Sequence, residues 1–82
     1  MAQYTEDERR KDFAFFIVNY QILFRQYGHK FLAIKDKHVL GAYDSVLEAI
    51  TALSDQYKPG TYIIQECNGD ESAYMTKIRS LF

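Results

Sequence analysis

The segment from Phe13 to Phe24 constrains the fold more than any other part of the chain, because it contains only two clearly polar residues, Asn19 and Gln21. Its apolar residues recur at helical spacing. A helix on the surface of a protein normally keeps one charged face toward water, and this segment has none. We therefore expect one side of the helix to pack on its own domain and the other side to be covered as well.

The residues around this segment set the limits of the helix. Thr5 and Glu8 have the spacing of a capping box, and the acidic residues between them suit the positive end of the helix dipole. Gly28 can adopt the left-handed conformation that ends many helices. We predict one helix over residues 5–27. Its predicted core-facing stripe consists of Phe13, Ile17, Tyr20, Phe24 and Tyr27.

A second apolar stripe lies on the other side of this helix and consists of Phe15, Val18 and Ile22, with Phe16 and Leu23 between the two stripes. We interpret the second stripe as a self-association surface, so a homodimer is the expected state. One alternative is that the second helix, the sheet and the C-terminal segment cover the stripe within a single chain. The other alternative is a partner of a different kind, a second protein.

Three strands and a second helix follow. The pattern predicts strands over residues 31–35 and 38–43, a helix over 45–57 that begins with Asp44 or Ser45 as its cap, and a strand over 61–67. A hairpin followed by a helical crossover gives a small antiparallel sheet in which the strands lie in the order 2-1-3. The predicted fold class is α+β, with an N-terminal helix before a β-β-α-β unit.

The first strand is expected in the centre of the sheet, covered on both faces. Phe31 and Ala33 point to one face, while Leu32 and Ile34 point to the other. The second helix covers one face, and two positions stay open for the first helix: on the other face, or beside the second helix. Residues 71–82 fit either a helix or an added strand.

Composition excludes several classes of protein. With 82 residues the chain is one domain, 1–82, and a hydrophobic content of 48% excludes a disordered chain. A net charge of -1, with dispersed Lys and Arg, argues against a nucleic-acid partner. The apolar run over 13–18 is far shorter than the ~20 residues that span a bilayer, so no membrane partner is expected. The polar, acidic start lacks the features of a signal peptide, so the expected location is cytoplasmic.

Residues that carry chemistry are few. The single cysteine, Cys67, cannot form a disulfide within the chain, and it suits a reducing compartment. Neither His29 nor His38 has a spacing to Cys67 that is typical of a nucleophile pair or a zinc site. The acidic segment 68–72 lacks the alternating ligands of a calcium loop. We therefore predict no catalytic residue, cofactor or metal site, and we favour a non-catalytic domain that acts through protein–protein contact.

The rival hypothesis is a small-ligand binder or an enzyme. Its pocket would lie between the sheet and the N-terminal helix and would be lined by Tyr and Phe side chains. The first candidate residues for such a pocket are Tyr43, His38 and Asp44. Base stacking on the tyrosines is a third hypothesis, and the absence of a basic groove argues against it.

Three segments after the first helix carry a resemblance to a known family. They are YGHKFLAIKD from Tyr27, VLGAYDS from Val39 and GTYIIQEC from Gly60. In these segments the chain resembles a family of small bacterial α+β proteins of unknown function. The resemblance implies a strand–strand–helix–strand core and an extended structure for residues 71–82. It implies no functional residues.

Overall fold

The computed structural model describes residues 4–69. In chain order its elements are α1 (Glu6–Val18), α2 (Tyr20–Tyr27), β1 (Lys30–Lys35), β2 (His38–Tyr43), α3 (Val46–Leu53) and β3 (Ile63–Cys67). The strands form one antiparallel sheet in the order β2-β1-β3. The predicted α+β class and strand order are therefore confirmed.

The N-terminal helical segment begins and ends as predicted. The Thr5 hydroxyl accepts a hydrogen bond from the Glu8 backbone N–H at 3.1 Å, and the Glu8 carboxylate accepts one from the Thr5 N–H at 2.9 Å. This reciprocal pair is the capping box. At the other end Gly28 has a φ of 75°, and its N–H donates to the carbonyl of Phe24.

The prediction of one continuous helix over residues 5–27 is wrong, because the segment is interrupted at Asn19. The Asn19 side-chain amide donates to the carbonyl of Phe15 at 2.9 Å, and its backbone has a φ of -102° and a ψ of 10°. Asparagine side chains compete with the backbone for such partners inside helices. The result is two helices, α1 and α2, in place of one.

The sheet separates two core clusters, as the alternation along β1 predicts. Leu32 and Ile34 face α1 and α2, and Ala33 faces α3. The open question about the first helix is thus decided: α1 and α2 cover the face opposite α3. The larger cluster also contains Phe16, Tyr20, Leu23, Ile63 and Cys67, and the smaller one Leu53 and Tyr62.

The inward side of α1 and α2 differs from the predicted stripe. Its buried apolar residues are Phe16, Tyr20 and Leu23, whereas Ile17 is half-buried and Phe24 is exposed. A helix that is apolar on all sides gives no contrast from which its orientation can be read. The true inward side therefore lies between the two stripes that the spacing suggests.

Two predicted elements are shorter in the structure. The Ser45 hydroxyl caps α3 by accepting from the Glu48 N–H at 3.0 Å, which decides between the two candidate caps. The helix ends at Leu53, and residues 54–57 form turns. At the start of β3, the N–H and hydroxyl of Thr61 both donate to the carbonyl of Lys58, so Thr61 belongs to a turn.

The prediction for residues 71–82 falls outside the described residues.

Within residues 4–69, no helix combines the length and the apolar character needed to cross a bilayer.

Candidate functional site

Two of the three residues predicted for self-association are open to solvent. Val18 is 82% exposed and Ile22 is 60% exposed. Val18 ends α1 and Ile22 lies in the first turn of α2, so both belong to the N-terminal helical segment. We call these two side chains the outward patch.

Phe15 is only half-buried, and it packs against the larger core cluster. It therefore contributes to the interior of the protomer as well as to its surface. Ala14 is exposed and lies one helical turn before Val18 in α1. Its small side chain adds little bulk beside the outward patch. Closer to the start of α1, the exposed side chains of Lys11 and Asp7 form an ion pair, with 3.1 Å between Nζ and Oδ2. This pair is the polar margin of the outward patch.

A buried carboxylate, Asp12, lies on the other side of α1. It is 2% exposed and accepts hydrogen bonds from the backbone N–H groups of Asp36 and Lys37, at 3.2 and 2.8 Å, and from the hydroxyl of Tyr4. A buried carboxylate is tolerated when such donors replace water. Asp12 thus fixes α1 to the turn between β1 and β2.

The sequence does not indicate this contact, because Asp12 ends a run of charges that is typical of a solvated helix start. Burial, and then the hydrogen bond to Asp12, raise the pKa of Tyr4. The hydroxyl therefore stays protonated and donates to the carboxylate. A raised pKa does not suit Tyr4 for proton transfer near neutral pH. We therefore assign a structural role to the hydrogen bond between Tyr4 and Asp12.

Two cations approach the ring of Tyr4. The Arg9 guanidinium carbon is 5.2 Å from the ring centroid, and the Lys35 ammonium nitrogen is 4.8 Å from it. The same cations donate to the loop before β3, Arg9 to the carbonyl of Gly60 and Lys35 to that of Thr61. These contacts hold the start of α1 against the start of β3.

A cleft of about 580 Å³ opens along β3; we call it the β3 cleft. Ile63, Ile64 and Gln65 of β3 and the preceding Tyr62 line it, and Ile50 of α3 lines it from one face of the sheet. From the other face and the preceding loop it is lined by Glu6, Arg9, Arg10, Phe13, Pro59 and Gly60. Most of these side chains are apolar, and the charged groups all come from the first turns of α1.

The three residues first suspected in a ligand pocket are not among those that line this cleft. Asp44 pairs with Lys30, whose pKa is raised by that hydrogen bond and charge. The ring nitrogen Nδ1 of His38 lies 2.8 Å from the carbonyl oxygen of Asp36. Tyr43 packs against the smaller core cluster, and its side chain fills the space beside Gly41.

Cys67 is fully buried, and burial raises the pKa of its thiol. A raised pKa lowers the fraction of reactive thiolate. The ring nitrogen Nε2 of His29 lies 2.9 Å from the carboxylate of Glu66 at the surface. In the part of the chain that the structure describes, no group of three His, Cys, Asp or Glu side chains could hold a metal ion.

Two more large apolar side chains are exposed on α3, Val46 at 44% and Leu47 at 73%. Helical spacing places Val46 on one apolar face with Ala49 and Leu53 and so predicts its burial. That prediction is wrong, because Val46 is exposed in the structure. Val46 and Leu47 lie across the sheet from the outward patch.

Comparisons with known proteins identify no relative: no family model, curated protein or solved structure matches the chain. The resemblance of the segments from Tyr27 onward therefore stays a prediction.

Proposed function

We propose that the protein acts through protein–protein contact and self-associates as a homodimer through the outward patch. The observation that supports this most is the exposure of Val18 and Ile22 on a helical segment whose other side packs on the core through Phe16, Tyr20 and Leu23. In a two-fold dimer the same patch faces itself, so four large apolar side chains leave water together.

The size of the patch sets the strength that we expect. Burying an aliphatic side chain contributes about 1.5–3 kcal/mol, so the four contribute about 6–12 kcal/mol. Association itself costs about 4–15 kcal/mol in lost rigid-body freedom. The outward patch alone is thus marginal, and close helix packing at Ala14 and the exposed part of Phe15 must add to it. We expect a dimer with a dissociation constant in the micromolar range, which corresponds to about -8 kcal/mol. These further contacts therefore have to supply most of the net free energy of association.

Sedimentation equilibrium of the full chain tests this proposal. We expect a species of twice the 9.6 kDa chain mass at tens of micromolar. The double variant Val18→Lys with Ile22→Lys should weaken the dimer at least about 100-fold, because two buried cations per copy would lack partners. The matched control, Val46→Lys with Leu47→Lys, adds the same charge on α3 and should leave the dimer intact.

Two results would contradict the proposal. One is a 9.6 kDa species for the unmodified chain at those concentrations. The other is a dimer that the α3 control dissociates while the outward-patch variant leaves it unchanged, which would move the interface to Val46 and Leu47.

The second candidate function is ligand binding in the β3 cleft. Its volume of about 580 Å³ lies within the range of small-molecule sites, about 300–1,000 Å³. Phe13 and Ile50 supply apolar walls, and Arg10 supplies a positive charge at the margin. An NMR titration with 4-phenylbutyrate, an apolar carboxylate, tests this candidate. Shift changes confined to the cleft residues support it, and their absence at millimolar concentration contradicts it.

A further inference from the structure

β3 is an edge strand among the described residues, because it pairs with β1 on one side and with no described strand on the other. In an antiparallel sheet, successive residues direct their backbone N–H and C=O groups alternately to the two sides. Along Ile63, Ile64 and Gln65, every second residue therefore directs these groups away from β1. Such an edge is a template for one more strand.

The β3 cleft follows this edge and is walled from both faces of the sheet. Phe13 and Arg10 of α1 line it from one face, and Ile50 of α3 lines it from the other. The side chains of an extended peptide alternate between two faces. A strand laid against β3 would thus direct one set of side chains toward Phe13 and the other set toward Ile50.

We propose that the β3 cleft binds an extended, apolar peptide segment of another protein, which adds to the sheet as a strand beside β3. The inference rests on the binding role proposed for this cleft and names the class of its ligand. Main-chain hydrogen bonds would provide affinity, and the two walls would select apolar residues at alternate positions.

Charge indicates one further feature of the peptide. Arg9 is already engaged by the carbonyl of Gly60 and the ring of Tyr4. Arg10 is exposed, and the described residues provide its guanidinium with neither a hydrogen bond nor an ion pair. An acidic residue in the peptide, placed at the α1 end of the cleft, would pair with Arg10. Glu6, also at this margin, disfavours a second acidic residue.

The shape of the cleft argues against a second copy of this chain as the occupant. Pairing of β3 with β3 of another copy would bring two sets of helical walls into the same space. A single strand brings no flanking helices of its own into the space between Phe13 and Ile50. The proposed occupant is therefore a peptide from a partner with an exposed extended segment. Residues 70–82 of this chain are the alternative occupant, and amide exchange distinguishes the two.

Amide hydrogen exchange of the free, full chain is the first test. The outward-directed amides within 63–65 should exchange within about tenfold of the rate in an unstructured peptide, while the inward ones are slowed at least about 100-fold. Slow exchange of the outward amides at every protein concentration would mean that residues 70–82 occupy the edge. Slow exchange only at high concentration would mean a second copy. Either result overturns the proposal.

Selection from a phage-displayed library of random peptides is the second test. We expect enrichment of sequences with alternating apolar residues and one acidic residue, and Kd values of about 1–100 μM for the synthetic peptides. Proline at the centre of such a peptide should weaken binding at least about tenfold, because it removes a ladder N–H. Arg10→Glu should weaken it about fivefold and Arg10→Lys should largely retain it.

Control variants separate this site from the outward patch. Ile50→Lys should abolish binding, whereas Val18→Lys with Ile22→Lys should leave it unchanged. Failure to enrich any peptide, or binding that Ile50→Lys does not alter, would contradict the inference. If 4-phenylbutyrate binds the cleft while no peptide is enriched, the ligand-binding role stands and the strand-addition inference falls.

Discussion

The two sides of the N-terminal helical segment have similar compositions and opposite environments. Phe16 and Leu23 are buried against the sheet, while Val18 and Ile22, only one or two positions away, face solvent. The difference shows that the apolar composition of a helix indicates how much of its surface must be buried. It does not indicate which side packs on the domain itself. The uncovered remainder is the basis for the proposed self-association.

A polar residue in the same segment makes the comparison sharper. Asp12 is more deeply buried than most apolar residues of α1, because the turn at Asp36 and Lys37 presents two N–H donors to it. Val18 faces no described element and stays exposed. Burial along α1 is therefore decided by what lies opposite each residue, and hydrophobicity alone does not decide it.

The largest expected effect tests the inward side. Phe16→Ala should lower the free energy of unfolding by about 3–5 kcal/mol, because it leaves a cavity in the larger core cluster. Val18→Ala, measured by urea denaturation below the dissociation constant of the proposed dimer, should change it by less than about 0.5 kcal/mol. Equal losses for the two variants would break the distinction between the sides.

Asp12→Ala should have the next largest effect, a loss of about 2–3 kcal/mol, because two turn amides and the Tyr4 hydroxyl lose their acceptor. Asp12→Asn, which keeps one acceptor oxygen, should lose less. Thermal unfolding of both variants checks the order. An Asp12→Ala protein as stable as the parent would show that water replaces the carboxylate without cost.

Cys67 reports whether the inward side stays closed. Its thiol should react with a disulfide reagent at least about 100-fold more slowly in the folded protein than in urea, because labelling requires local opening.

Burial raises the pKa of the Cys67 thiol above its unfolded value, so unfolding releases protons at alkaline pH. Stability should therefore fall as the pH rises above about 8.5.

Cys67→Ala is the control for that pH dependence, and the portion of the decline that belongs to the thiol should disappear with it. Folded-state labelling as fast as in urea would mean that the larger core cluster is open on the timescale of the reaction.

The smallest expected effect concerns the turn that holds Asp12. Lys37 has a φ of 61°, a conformation that glycine adopts without the steric cost of a Cβ atom. Lys37→Gly keeps the backbone N–H and should raise stability by about 0.5–1 kcal/mol. Lys37→Ala, which keeps the Cβ atom, is the matched control and should bring no such gain in chemical denaturation.

Local signals predicted much of the fold. Thr5 with Glu8, and Gly28, set the ends of the N-terminal segment, and the alternation along β1 predicted a strand covered on both faces. These features depend on neighbouring residues, so the sequence displays them directly.

Features that depend on distant partners could not be predicted in the same way. Asp12 resembles a solvated charge until the turn at Asp36 is placed opposite it. The β3 cleft combines Phe13, Ile50 and Ile64 from three separate elements, and no local pattern joins them. The outward patch was partly predicted: Val18 and Ile22 are exposed, while Phe15 also packs inward.

The central claim is that the outward patch faces a second copy of the chain. Isotope-filtered NMR on a sample that mixes labelled and unlabelled protein measures this directly, because it detects only contacts between different molecules. We predict intermolecular contacts that include the methyl groups of Val18 and Ile22. A dimer whose intermolecular contacts arise only from Val46 and Leu47, or a sample with none at tens of micromolar, would contradict the claim.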